Sequence, residues 1–268
     1  TDLDYTATTS LGFLVPAAPN PGAPVYEDTA DIAYGVTVVG NYAYVADRLS
    51  GLAIIDITDK DNPGDPVYMD TSGYAYGVTV VGNYAYVADE SSGLAIIDIT
   101  DKANPGDPVY MDTGGDASGV TVVGNYAYVA DALSGLAIID ITDKDNPGDP
   151  VYMDTNGSAI GVTVVGNYAY VADFTKGLAI IDITDKDNPG APVYKATSGF
   201  ARFVTVVGNY AYVANDGKGL AIIDITDKDN PGDPVYMNTS GSAYDVTVVG
   251  NYAYVADYGS GLAIIDIT

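Results

Sequence analysis

Hydrophobic positions along the chain fall in short runs broken by Gly, Pro, Asn and Asp, and the same runs return at a fixed interval. The segment Val36-Thr37-Val38-Val39-Gly40-Asn41-Tyr42-Ala43-Tyr44-Val45-Ala46 recurs unchanged from Val78, Val120, Val162, Val204 and Val246, a spacing of 42 residues. Gly51-Leu52-Ala53-Ile54-Ile55-Asp56-Ile57-Thr58 recurs with it and ends the chain at Thr268. Each unit predicts four strands. Strand A is Val-Thr-Val-Val, closed by a Gly-Asn pair suited to a tight hairpin. Strand B is Tyr-Ala-Tyr-Val-Ala-Asp, and a short variable turn ending in Gly leads to strand C, Leu-Ala-Ile-Ile-Asp-Ile-Thr. The loop Asp59-Lys60-Asp61-Asn62-Pro63-Gly64-Asp65-Pro66 follows, its Pro-Gly pair predicting a type II turn with Gly at positive φ. Strand D is Val67-Tyr68-Met69-Asp70-Thr71, behind a Pro that an outermost strand tolerates.

β-branched and aromatic residues dominate these runs, and each is too short and too often punctuated for a helix. Strands B and C are apolar on both faces, with small Ala set among Tyr, Leu and Ile. That pattern suits a sheet sandwiched between two neighbouring sheets. Repetition of such a unit predicts an all-β, six-bladed β-propeller of 42-residue, four-stranded blades. The chain ends on a strand C, and an orphan strand D, Pro24-Val25-Tyr26-Glu27-Asp28-Thr29, precedes the first full unit. Residues 24–29 are therefore expected to complete the last blade and close the ring. Residues 1–18 match no repeat and form an N-terminal extension, leaving 19–268 for the propeller.

Charge narrows the function classes. Thirty-six acidic residues against 10 basic give a net charge of −26, a field that repels phosphate backbones and anionic membranes. Nucleic-acid binding and membrane insertion are not expected, and the strong like charge predicts a monomer. The chain has no Cys, His or Trp, which excludes disulfides, thiolate or imidazole metal sites, and Ser-His-Asp or Cys-His catalysis. Its start, Thr1-Asp2-Leu3-Asp4-Tyr5, has neither an initiator Met nor a basic segment. A leader already removed, or excision from a longer chain, would account for that.

The unit resembles the LVIVD repeat. Its name-giving strand corresponds to Leu52-Ala53-Ile54-Ile55-Asp56, preceded by Asn-Tyr-Ala-Tyr-Val-Ala-Asp and Gly and followed by the Asn-Pro of the C–D loop, over about residues 24–268. The resemblance implies a propeller, usually extracellular or at the cell surface, and carries no catalytic residues to transfer. Two features are unusual for it: the Asp-rich C–D loop and the near-identity of the copies.

Six copies in one chain separate scaffold from function. Residues common to every unit serve the fold, whereas positions that vary among otherwise identical units are free for other work. With a few further changes such as Ala103, Ala191 and Lys195-Ala196 elsewhere, variation clusters in the D–A connection and the B–C turn, which emerge at the same end of an antiparallel four-stranded blade. Function on a rigid scaffold usually resides in such loops. Three of the four Phe, Phe174, Phe200 and Phe203, fall there in blades 4 and 5, with Lys176, Arg202 and Lys218 nearby in the repeat geometry and Tyr244 and Asp245 in the next blade. Aromatic and cationic groups with few acids around them form a candidate site for an anionic or aromatic ligand. On the opposite face, Asp59, Asp61 and Asp65 supply hard oxygen donors, a weak pattern for Ca²⁺ that Asx-turn chemistry explains equally well. The expected function is a non-catalytic recognition or adhesion scaffold, secreted or on the cell surface, binding a protein or glycan. One alternative is a designed, consensus or recently amplified scaffold without a function of its own. A less favoured one is carboxylate chemistry of glycosidase or lyase type at Asp116, Asp216 or Asp245, which nothing in the sequence pairs.

Overall fold

A computed structural model describes residues 24–268 as six antiparallel sheets in series, without a helix among the described residues. Blade 1 comprises β1 (Gly35–Val39), β2 (Tyr42–Ala46), β3 (Leu52–Asp56) and β4 (Val67–Met69). Blade 2 repeats it as β5 (Gly77–Val81), β6 (Tyr84–Ala88), β7 (Leu94–Asp98) and β8 (Val109–Met111). Blade 3 is β9 (Gly119–Val123), β10 (Tyr126–Ala130), β11 (Leu136–Asp140) and β12 (Val151–Met153). Blade 4 is β13 (Ala159–Val165), β14 (Tyr168–Asp173), β15 (Gly177–Asp182) and β16 (Val193–Lys195). Blade 5 is β17 (Phe203–Val207), β18 (Tyr210–Ala214), β19 (Leu220–Asp224) and β20 (Val235–Met237). Blade 6 holds β21 (Ser242–Val249), β22 (Tyr252–Tyr258) and β23 (Gly261–Asp266). The structure is a six-bladed β-propeller.

Both-face burial of the B and C strands has the predicted cause. Leu52 and Ile54 of blade 1 pack with Ala85, Val87, Ala95 and Ile97 of blade 2, and the same cluster forms at each of the next four blade junctions. Each Leu or Ile so buried stabilises the fold by about 2 kcal/mol. Small Ala on one blade admits the large side chains of its neighbour. Polar contacts follow the same period. Thr37 Oγ1 donates to the Val78 carbonyl of the next blade at 2.7 Å, and Thr79, Thr121 and Thr163 do the same. Lys102 lies over the Tyr42 ring of the preceding blade at 5.1 Å, as do Lys144, Lys186 and Lys228 over their own partners.

Two local expectations change. The A–B hairpin has the expected two-residue turn, with Val39 paired to Tyr42 and Gly40 at a φ of 60°. Gly64, however, does not take the positive φ of a type II turn. Its N–H donates to the Asp56 carbonyl at 2.8 Å, and a Cβ there would lie 3.4 Å from that of Asp56. Close approach of two backbones, rather than a left-handed conformation, explains Gly at this position.

Ring closure also differs. Blade 6 has three strands among the described residues, and residues 24–29 form no strand and do not pair with β23. Leu262 is 62% exposed where Leu52 is fully buried, and no hydrophobic cluster joins blade 6 to blade 1 among the described residues. A strand of three residues brings few hydrogen bonds, and pairing 24–29 with β23 would close a loop through the whole propeller. The angles of five successive blade junctions must bring the ends together before that pairing can form. The N-terminal extension proposed for 1–18 lies outside the described residues.

Candidate functional site

The two variable loop sets are joined directly. Arg48, first residue of the B–C turn of blade 1, forms an antiparallel bridge with Ala75 in the connection entering blade 2, and Glu90–Ala117, Ala132–Ala159 and Asp216–Ala243 repeat it. In blade 4 the Ala201 N–H donates to the Phe174 carbonyl at 2.9 Å, so Phe174 is fastened beside the residues flanking Ala201. Variation therefore gathers on one face for a structural reason: the B–C turn of each blade is zipped to the entry of the next.

This places Phe174 and Phe200 together, stacked with ring centroids 4.4 Å apart and planes 10° from parallel. Arg202 lies beneath, its guanidinium carbon 5.4 Å from the Phe174 centroid and 4.1 Å from that of Tyr244. Tyr244 in turn meets Tyr258 at 5.4 Å. Phe200 is half exposed, and a cleft of about 530 Å³ opens beside it, lined by Thr175, Thr197, Ser198, Asp216 and Lys218 as well. Lys218 of its lining is exposed, as is Lys176, the neighbour in the chain of the lining residue Thr175.

Arg202 differs from the sequence expectation. Its Nε and Nη2 both donate to Asp216 Oδ2, at 3.0 and 2.7 Å, so an acid does stand within the patch. The guanidinium is paired with this acid and lies between the two rings, a positioning group more than a free anion binder. Burial alone would raise the Asp216 pKa, but hydrogen bonding from Ser242 and Arg202 together with the Arg202 charge outweighs it and leaves the pKa lowered. Phe203 turns inward, half-buried against the junction of blades 5 and 6 and touching the place a Cβ on Gly161 would occupy. Asp245 stands at the start of the strand-A segment that carries Gly in blades 1 to 4, accepting from the Val246 N–H at 2.7 Å. Desolvation by the surrounding chain raises its pKa, although the residue keeps contact with solvent.

The scaffold beneath these loops also departs from the repeat in places. Elsewhere a buried Asp at the end of strand B ties down the incoming connection. Asp89 accepts from Thr71 Oγ1 at 2.6 Å and from the Gly73 N–H at 2.8 Å, and Asp131 and Asp257 accept from Thr113 and Thr239. In blades 3 and 4 the connection turns differently, with Gly114 at a φ of 74° and Asn156 at 55°. In blade 5 the acid is replaced by Asn215, whose amide is unpartnered, and Thr197 bonds the Gly199 carbonyl. The candidate cleft lies beside the connection whose Asp tie is replaced by Asn215.

A second aromatic and cationic group was not singled out from the sequence. Arg48 lies 4.8 Å over the Tyr74 ring, and Tyr76 meets Tyr34 edge-on at 4.8 Å. Its signal was present in the variable positions, where Tyr34, Tyr74 and Tyr76 are aromatic and blades 3 and 4 carry Asp116, Ser118, Ser158 and Ile160. Of the carboxylates considered for catalysis, Asp216 is bound to Arg202 and Asp245 accepts from the Val246 N–H. On the far face, Asp59 accepts from the Asp61 N–H at 3.0 Å as in an Asx turn. Among the described residues, Asp59, Asp61 and Asp65 are not gathered into a group able to hold an ion.

Comparison with known proteins agrees with the architecture. The chain is similar to the WD40 repeats of RRP9, with a TM-score of 0.71 and 7% identity over 87% of this chain and 79% of that one. It is also similar to a functionally unknown protein from Desulfotomaculum acetoxidans (TM-score 0.68, 12% identity, 89% and 84% covered). The computationally designed Ika8 protein gives 0.63 at 9% identity, over 90% and 85%. No curated protein matches the chain. At such identities these likenesses concern the fold alone. The family model of the LVIVD repeat matches residues 31–70, 72–112, 114–154, 156–197, 198–239 and 240–268, and the chain belongs to the LVIVD-repeat family.

Proposed function

We propose that the chain is a non-catalytic recognition or adhesion scaffold, working outside the cell or at its surface, that binds a protein or glycan through the face carrying the D–A and B–C loops. The observation that carries this reading is the cleft beside the stacked Phe174–Phe200 pair, in the two blades whose loops depart furthest from the repeat. An exposed aromatic platform offers apolar area to a sugar ring or an aromatic side chain at little entropic cost. Lys218 in the lining, with Lys176 next to Thr175 in the chain, suits an acidic group on the ligand, in a molecule otherwise strongly negative.

The test is an array of glycans and peptides probed with the intact chain, beside Phe200→Ala and Lys218→Ala. Both residues are exposed enough to be changed without disturbing a blade core. A hit weakened roughly tenfold or more by Phe200→Ala supports the site, that being the usual cost of a binding anchor. A hit that neither variant affects places recognition elsewhere. The near-identity of the six repeats favours one other reading, a recently amplified or consensus scaffold without a ligand of its own, which predicts no hit at all.

A further inference from the structure

The wall of the cleft beside Phe200 lacks a charge that every other blade carries. At the end of strand B, the other blades bury an acid, Asp47, Asp89, Asp131, Asp173 or Asp257, each at most 2% exposed. Blade 5 alone has an amide there, Asn215, equally buried. A Cβ on Gly199, which lines the cleft, would lie 3.1 Å from Asn215 Nδ2 and 3.0 Å from Lys218 Cγ. The amide therefore stands behind the cleft wall, beside the stem of its lysine. Neither its nitrogen nor its oxygen has a hydrogen-bond partner. Stability alone favours the acid, since a carboxylate accepts through both oxygens, as Asp89 does from Thr71 and Gly73.

The other charges of the cleft are arranged in the same sense. Asp216, the one acid of the lining, is paired with Arg202 at 2.7 Å. Lys218 is exposed, and among the described residues neither it nor Lys176 has an ion pair. The lining thus holds an unpaired cation and no unpaired acid, in a chain of net charge −26. An anion approaching this molecule is repelled over most of its surface and least here.

The uncharged part of the lining selects among anions. Phe174 stacks on Phe200 without lining the cleft, and Phe200, still 47% exposed, is the sole aromatic of the lining. Around it stand the hydroxyls of Thr175, Thr197 and Ser198. A peptide anchor is usually held in a pocket of several apolar side chains. A pyranose needs less: one flat ring beneath its C–H face and small polar groups for its hydroxyls. The volume of about 530 Å³ is in the range of clefts that take a small ligand.

We propose that the cleft takes an acidic oligosaccharide, a uronate-type ring lying on Phe200 with its carboxylate at Lys218, and that Asn215 permits this by standing where the other blades bury an acid. The proposal rests on the reading of this face as a recognition site and names the ligand class. Asn215 is a specificity-determining residue that does not touch the ligand. It acts through Lys218, whose charge a carboxylate at position 215 would offset from behind.

The experiment measures binding of the intact chain to a panel of oligouronates, each beside its methyl ester, which keeps the rings and removes the charge. A peptide rich in Asp and Tyr is tested in parallel. Wild type should bind at least one acid about tenfold more tightly than its ester, and added salt should narrow that ratio. Lys218→Gln and Asn215→Asp should each reduce the ratio about fivefold and leave the ester as it was. Asn215→Asp writes in the residue the other five blades carry, and its Tm, read alongside, separates lost binding from lost fold. Phe200→Ala should weaken acid and ester alike. Acid and ester bound equally, with Phe200→Ala weakening both, overturns the acidic ligand and leaves the recognition site standing. The peptide bound through Phe200 while every sugar fails overturns the glycan in the same way. A ratio that Asn215→Asp leaves unchanged overturns the role given to Asn215. No binding by any probe overturns the proposal together with the reading of this face as a recognition site.

Discussion

The Arg202 guanidinium gives both Nε and Nη2 to a single oxygen of Asp216 while its plane covers the Tyr244 ring at 4.1 Å. One side chain thereby links the entry of blade 5, the B–C turn of blade 5 and the entry of blade 6. Replacing it should be felt first as stability. Arg202→Ala is expected to cost about 1 kcal/mol, since the pair is partly screened by water. Arg202→Lys should recover little of it, because an ammonium lacks both the fork and the flat face. Urea melts of the two variants check this, and equal stability of wild type and Arg202→Ala would mean the contact only decorates the loop.

Blade 5 offers a repair. Asn215→Asp puts a second acceptor oxygen in place of the unpartnered amide nitrogen, as Asp89 offers to Thr71 and Gly73 in blade 2. At neutral pH it should stabilise by about 1 kcal/mol, seen as a rise of about 2–4 °C in Tm. A fall in Tm would show that the loop of blade 5 is committed to its altered course, bonding Gly199 through Thr197.

The buried acids give a pH dependence of unusual sign. Desolvation raises the pKa of Asp89 and Asp131, more than hydrogen bonds from Thr71, Gly73, Thr113, Ser134 and Gly115 lower it. A folded-state pKa above the unfolded value means the native state binds protons more readily than the unfolded chain. The contribution of each group to stability therefore grows as pH falls through the raised pKa, and levels off below the ordinary value of 3.8. Exposed acids such as Asp56 and Asp98, lowered by Thr58 and Thr100, act in the opposite sense. The difference in Tm between wild type and Asp131→Asn isolates the buried group. It should move in favour of wild type on acidification toward about pH 4. A difference that moves the other way would mean that the tie to Thr113 requires the ionised form.

Two glycines of one blade should respond differently to alanine. Gly135 has a φ of 81°, and a Cβ there would collide with the Met153 carbonyl of the neighbouring strand. Gly135→Ala should cost about 2–4 kcal/mol. Gly124, at 61° in the open A–B hairpin, has nothing within 4 Å, so Gly124→Ala should cost only about 1 kcal/mol of backbone strain. Chemical denaturation of the pair checks the order, and equal losses would contradict the steric account.

Fold class, strand order and the face that varies were all legible in the residues because they are local and repeated. Ala43, Ile54 and Tyr44 largely repeat their environment with their sequence in blades 1 to 5, so one blade read correctly serves for the others. The proximity of Phe174 and Phe200 was legible for the same reason, since B–C turns and D–A connections share one end. Three things were decided only in three dimensions. Arg202 meets Asp216 instead of facing solvent, because side-chain direction depends on which turn the bridge to Ala243 brings alongside. Gly64 serves close packing against Asp56 instead of a left-handed turn, because the C–D loop folds back onto its own strand. The orphan strand at Val25 and Tyr26 docks on blade 1 through Thr29 without reaching β23. Local pattern specifies each junction, whereas closure depends on the sum of angles over all of them, and no single residue encodes that sum.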